Sequence, residues 1–161
     1  MKQELSGLAV SLVNSTSNAP QSIQDTRSFE DFTQSLEFLR HALNSHIHTA
    51  CRKLRTWNGF CGCVTVMLKT KDFHYYALES KLPNLTNSDF EIRTLAHKLL
   101  TDLYRPNLVY RSTGITLSHL IYGSQVQQSL FSETQPHDDK LSHLVDELEA
   151  KFGKGIVKTV W

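Results

Sequence analysis

No apolar run in this 161-residue chain approaches the roughly 20 residues needed to cross a bilayer. The first residues lack a signal-peptide pattern. Cysteine is scarce, with three in all, which excludes a disulfide scaffold and, without a secretory signal, points to a reducing, cytoplasmic setting. Seven glycines and four prolines are too few for a low-complexity or fibrous chain. Neither sign of charge dominates, the formal net charge being +1. No internal repeat is visible.

The usual signatures of an active site are missing too. There is no phosphate-cradling glycine loop and no close carboxylate pair on an apolar strand. Cys61 and Cys63, with His46, His48 and Cys51, invite a metal reading, but the paired spacings of a structural zinc site are absent. Packing cysteines are the simpler reading. Cys51 falls on or beside an apolar helix stripe, which argues against a nucleophile. The eight histidines have no carboxylate at a telling spacing.

What is present is a periodic body with polar ends. Residues 22–123 hold 12 Lys/Arg against 9 Asp/Glu, whereas residues 124–161 hold 4 against 6. This mildly basic body with an acidic tail permits a polyanionic partner without demanding one. Residues 1–21 end in a Ser/Asn/Pro-rich run and read as a linker.

Residues 22–30, SIQDTRSFE, read as a short strand. Asp31 with Gln34 has the spacing of a capping box and predicts the start of a long helix. Phe32, Leu36, Leu39, Leu43, Ile47, Ala50, Leu54 and Trp57 then form one stripe in steps of three and four. Gly59 is placed to end it. Residues 60–73 switch to period two, with Phe60, Val64, Val66 and Leu68 on one face. Residues 74–82 should return as a hairpin partner, followed by a loop, LPNLTN.

Ser88 and Glu91 make a second capping box, before a helix carrying Ile92, Leu95, Leu99 and Leu103. Arg105-Pro106 stops it. Residues 108–120 form the fourth strand, in which Gly114 marks a bulge or a close backbone approach. The order β-α-β-β-α-β predicts a two-layer α+β domain, a four-stranded antiparallel sheet with both helices on one face. Beyond it, residues 138–153 predict a short helix through Leu141, Leu144, Leu148 and Phe152.

The other sheet face is left open, lined by Thr65, Lys69, Lys71, Tyr110, Ser112, Thr116 and Ser118. Hydroxyls and lysines suit backbone phosphates; the same residues also suit an ordinary solvated face.

Four segments in order, SIQDTRSF, FTQSLEFLRHALNSHIHTACRKLR, VTVMLKTKDF and YRSTGITLSHL, resemble the C-terminal little finger domain of Y-family translesion DNA polymerases, of the DNA polymerase IV kind. The tail extends the resemblance, which runs from about residue 4 to about residue 156. ELSG near the start resembles the end of the family's thumb domain. The resemblance implies a tether at Ser11–Gln21, a DNA-binding domain over residues 22–123 and a tail over residues 124–161.

The catalytic palm and the fingers have no counterpart, so this chain should not polymerise DNA by itself. Its Mg²⁺ belongs to the palm, and no cofactor is expected in this chain. The parent would be a DNA-directed DNA polymerase. By the same resemblance the open face grips the phosphates of a primer-template duplex without reading sequence. That role falls on Thr26, Arg27, Ser28, Lys69, Thr70, Lys71, Arg111, Ser112, Thr113, Gly114 and Thr116. Strict alternation puts Arg111 on the helix side with Ile115 unless a bulge at Gly114 changes the register.

The segment QQSLF, Gln127 to Phe131, resembles the peptide with which bacterial polymerases engage the sliding clamp. Gln127 would anchor it, Leu130 and Phe131 would plug an apolar cleft, and Ser129 lies between them. Gln128 departs from the leucine common at its position. The alternative for the whole chain is a protein-interaction domain of a repair or replication complex. An RNA-binding α+β domain is a third option. It would need exposed stacking aromatics on the sheet, of which Tyr110 is the clearest candidate.

Overall fold

A computed structural model describes residues 19–123, 144–148 and 151–153. The chain runs β1 (Ile23–Thr33), α1 (Leu36–Thr56), β2 (Gly59–Thr70), β3 (Tyr75–Thr86), α2 (Asp89–Leu103) and β4 (Tyr110–Tyr122). Residues 144–148 and 151–152 are also helical. The sheet order is β1-β4-β2-β3, and every neighbouring pair is antiparallel. This is the expected β-α-β-β-α-β architecture.

The core lies between the sheet and both helices. From α1 come Leu39, Leu43, Ile47, Ala50 and Leu54; from α2, Ile92, Ala96, Leu99, Leu100 and Leu103. Val64, Val66, Leu68, Ile115 and Leu117 meet them from the central strands. Each fully buried Val, Leu or Ile contributes about 1.5–3 kcal/mol relative to exposure. With the helices committed to this face, the opposite sheet face stays open among the described residues. Among the described residues no helix is long and apolar enough to cross a membrane.

Four local expectations are corrected. Asp31 does not cap α1. It lies within β1, which continues to Thr33 and pairs there with Tyr110. Ser35 is the cap: its backbone is extended and its hydroxyl accepts the Phe38 N–H at 3.2 Å. Phe32 therefore leaves the helix stripe and stands exposed on the strand.

The α1 terminus is turned by Asn58, not Gly59. Asn58 has φ 47° and donates its N–H to the Arg55 carbonyl at 2.9 Å. Gly59 instead opens β2, where a Cβ would come within 2.7 Å of the Leu54 and Tyr122 side chains.

In β2 the register shifts between Cys61 and Cys63. The shift is in the pairing with β3, where Thr86 to Lys81 answers Cys61 to Cys63, while the register with β4 is kept. The inward alternation changes at this point, so Cys61 joins the core and Phe60 does not. The expected loop LPNLTN is strand through Thr86, because β3 is an edge strand and tolerates Pro83.

Ser88 occupies the cap position of α2 as expected, but its side chain makes no capping bond. Its hydroxyl is buried with no hydrogen-bond partner among the described residues, while its N–H donates to Thr86 Oγ1 at 3.1 Å.

Candidate nucleic-acid interface

Cross-strand pairing builds the open face as rows running β1-β4-β2-β3. Gln24, Thr116, Thr65 and Glu79 form one row, and Thr26, Gly114, Met67 and Ala77 the next. Ser28, Ser112, Lys69 and Tyr75 form the third. Residues directly opposite in an antiparallel sheet share a face, so the hydroxyls of Thr26, Ser28, Thr65, Ser112 and Thr116 lie on this surface together. Thr65 donates to Glu79 Oε2 at 3.2 Å, at the end of the face away from Lys69.

The middle of the face is low. Gly114 adds no side chain, and Thr26 packs across it: a Cβ there would lie 2.1 Å from Thr26 Cγ2 and 2.9 Å from the Asp25 carbonyl oxygen. Gly114 is thus the close approach anticipated from the sequence. The pairing of β4 with both neighbours runs through it without a break.

The bulge lies instead at Arg111. Tyr110 pairs with Thr70, and Ser112 pairs with Lys69, which leaves Arg111 as the extra residue. This reverses the alternation at the start of β4. Arg111 turns onto the open side, where its guanidinium carbon stands 4.3 Å from the Phe73 ring centre and 5.8 Å from that of Phe32.

Tyr110 is displaced the other way, off the expected face and into the core. Its hydroxyl accepts the Arg105 N–H at 2.7 Å and donates to the Arg105 carbonyl at 3.2 Å. Burial pushes its phenol above the ordinary value.

The remaining site residues separate by environment. Lys69 sits at the third row, its ammonium donating to the Tyr75 hydroxyl at 2.7 Å. Lys71 is exposed in the β2–β3 turn, its N–H donating to the Val109 carbonyl at 2.8 Å.

Thr70 is buried and shapes that turn by accepting the His74 N–H at 3.2 Å. Thr113 is buried, and its hydroxyl donates to the Met67 carbonyl at 3.2 Å. Arg27, opposite Thr113, takes the helix-side alternation shared by Asp25 and stands exposed near the sheet edge. Gln127, Ser129, Leu130 and Phe131 lie outside the described residues.

Three exposed aromatics at the Lys69 end, Phe32, Phe73 and Tyr75, escaped the sequence reading. The signal for two of them was the basic and aromatic residues interleaved in KTKDFHYY.

On the helix side, polar pairs also form across long sequence distances. His46 Nδ1 lies 2.8 Å from Asp25 Oδ2, and Lys53 Nζ 3.0 Å from Asp25 Oδ1. Burial works to raise the Asp25 carboxyl, but the hydrogen bonds to His46 and Lys53 outweigh it and hold it below its ordinary value. Asp89 behaves likewise: burial opposes ionisation, and His48 with Arg55 overcomes it.

All three cysteines are buried and unlinked. Burial drives the Cys51 thiol well above its ordinary value and that of Cys61 up to about 12, which leaves neither poised as a nucleophile. Among the described residues no group of three His, Cys, Asp or Glu is placed to hold a metal.

Residues 20–130 match the impB/mucB/samB family C-terminal domain. The chain is 31% identical over 107 residues to DNA polymerase IV of Clostridium acetobutylicum, covering 66% of this chain and 27% of that protein. It is 30% identical over 145 residues to Protein UmuC of Salmonella typhimurium, covering 85% of this chain and 34% of that one. It therefore spans about a third or less of the length of these relatives.

In fold it resembles DinB from Sulfolobus solfataricus, with a TM-score of 0.57 and 19% identity over 63% of this chain and 29% of that one. It also resembles the Dbh DNA polymerase in its insertion ternary complex, at 0.56 and 18% over the same shares. The chain belongs to the impB/mucB/samB C-terminal domain family, the little finger of Y-family translesion DNA polymerases.

Proposed function

We propose that this chain grips the sugar-phosphate backbone of a primer-template duplex through its open sheet face, as the DNA-holding part of a translesion polymerase. The observation that carries the reading is the arrangement of that face. Five hydroxyls surround the low ground at Gly114, with Lys69 and Arg111 at one end. Hydroxyls and cations are the groups phosphates accept hydrogen bonds from, and a face without large central side chains lets a backbone come close.

Phosphate contacts carry no sequence information, so binding should be weak, indifferent to sequence and salt-dependent. Each phosphate neutralised adds about 0.9 to the slope of log K against log salt. Fluorescence anisotropy with blunt duplexes at several salt concentrations tests this. Lys69→Ala with Arg111→Ala should weaken binding severalfold and flatten the slope. Salt-insensitive or strongly sequence-selective binding overturns the reading in favour of a protein-docking face.

The same reading assigns no catalysis to this chain. Phosphoryl transfer in such enzymes needs metal ions held by carboxylates, and that chemistry falls to the part of the relatives this chain does not span. Primer extension by the purified chain with Mg²⁺ and nucleoside triphosphates would overturn this. The QQSLF segment carries a second contact, to a sliding clamp, through Gln127, Leu130 and Phe131.

A further inference from the structure

The exposed aromatics at the Lys69 end of the open face are not accounted for by phosphate binding. Phe73 is 62% exposed and Tyr75 65%, with Phe32 at 46% beside them. Lys69 Nζ stands 4.8 Å from the Phe73 ring centre and 4.4 Å from that of Tyr75, and Arg111 stacks over Phe73 at 4.3 Å. These exposures hold with both cations in place, so ring surface remains for a further partner.

The backbone adds an independent sign. Phe73 has φ 68°, a left-handed conformation that is an outlier for a bulky residue and natural for glycine. The turn is closed by the Phe73 N–H donating to the Thr70 carbonyl at 3.1 Å and the Thr70 N–H donating to the His74 carbonyl at 3.0 Å. Nothing in that hydrogen bonding requires a side chain at position 73. A strained backbone that carries a solvent-facing ring points to a use for the ring.

A duplex presents phosphates and stacked base pairs, whose π-faces are already covered by one another. It can use Lys69 and Arg111 but not the rings. An unpaired nucleotide offers both a free π-face and a phosphate, and aromatic rings interleaved with Lys and Arg fit that combination.

The cluster takes in the Lys69–Tyr75 end of the third row and extends past it to Phe73, at the border of the phosphate-binding face. A strand leaving the duplex at that border would pass over it. We propose that Phe73 and Tyr75, held by Lys69 and Arg111, form a stacking platform for unpaired bases next to the gripped duplex. On this view the chain prefers a single-strand/duplex junction to a blunt end. The proposal rests on the duplex-gripping reading above and extends it.

The test compares the 161-residue chain on a blunt DNA duplex and on the same duplex with a single-stranded extension of about six nucleotides, by fluorescence anisotropy at one fixed salt concentration. The extension should tighten binding about fivefold or more, the scale of one stacked base. Phe73→Ala should cut that gain and leave blunt-duplex affinity nearly unchanged, while Phe73→Trp should keep it. Phe73→Gly suits the backbone and removes the ring. It should melt no lower than the parent and still lose the preference, which separates the ring from the fold.

An extension that adds nothing, while the blunt duplex binds, overturns the platform and leaves the duplex grip standing. The platform is equally overturned if Phe73→Ala weakens both substrates alike, since the ring would then serve the duplex. Failure to bind either substrate removes the duplex grip and the platform with it.

Discussion

Thr26 covers Gly114 so closely that a methyl group on Gly114 would lie 2.1 Å from Thr26 Cγ2. The contact joins the edge strand β1 to the central strand β4 at the middle of the open face. Gly114→Ala should therefore destabilise the domain by about 1–3 kcal/mol, the usual cost of overpacking, with the melting temperature falling several degrees. Thr26→Gly in the same chain removes the nearest clashing atoms and should restore part of the loss. The Asp25 carbonyl oxygen, 2.9 Å from the added carbon, keeps the rescue incomplete. An unchanged melting temperature for Gly114→Ala would mean that the two strands are not held this tightly.

Stability should fall with acid in two stages. Burial, helped by the positive charges of Arg40 and Arg93, lowers the His97 value in the folded state. Its contribution is present above the unfolded value of about 6.5 and is lost as pH falls through the lowered one. Asp25 and Asp89 are also lowered on folding. Their contributions are present above about pH 4 and are lost as pH falls through their folded values. Thermal melts from neutral to acid pH should show a shallow decline followed by a steeper one. Asp89→Asn should reduce the second stage, and a melting temperature that rose on acidification would contradict the assignment.

The elements themselves were legible in the sequence, because the helix stripe through Leu39, Leu43, Ile47 and Leu54 and the alternation of Val64, Val66 and Leu68 are strong periodic signals. What was not legible came from irregularities in strand pairing and from contacts across the fold. An irregular pairing with β3 after Cys61 took Phe60 out of the core alternation. A bulge at Arg111 exchanged the environments of Arg111 and Tyr110. Periodicity can place a bulge only where a glycine advertises it, and Gly114 advertised a close approach instead. The helix start was missed because Asp31 and Ser35 both have capping chemistry, and the pairing of Thr33 with Tyr110 decides between them. The Asp25–His46 and Asp89–His48 pairs span gaps that no local spacing reveals.

Arg55 ties three parts of the chain together. Its side chain is buried, donating to Asp89 Oδ1 at 2.6 Å, to the Asn87 carbonyl at 2.9 Å and to both carboxylate oxygens of Asp146. Asp89 also meets His48 and sits in the first turn of α2, where negative charge is favoured. Asp89→Asn should therefore cost more than Asp146→Asn, about 3 kcal/mol or more for the breaking of a buried charge pair. Asp146→Asn should cost about 1.5–3 kcal/mol, the scale of a hydrogen bond to a charged group. The prediction fails if denaturant melts rank the two variants the other way round.

Replacing Leu130 and Phe131 together by Ala should abolish binding to a sliding clamp and leave the domain otherwise intact. The pair sits in a Ser/Gln-rich stretch, and two adjacent large apolar side chains there need something to cover them. Burying each in a clamp cleft could contribute about 1.5–3 kcal/mol, less the cost of ordering the peptide. The affinity should then be around micromolar. Every core side chain described above precedes Tyr122, so the double variant should melt within a degree or two of the parent and bind duplex DNA as before. Gln128→Leu, which restores the residue common in such peptides, should tighten clamp binding. A double variant that melts several degrees lower would place Leu130 and Phe131 against the domain itself. The clamp reading would then give way to one in which the two residues pack on their own chain.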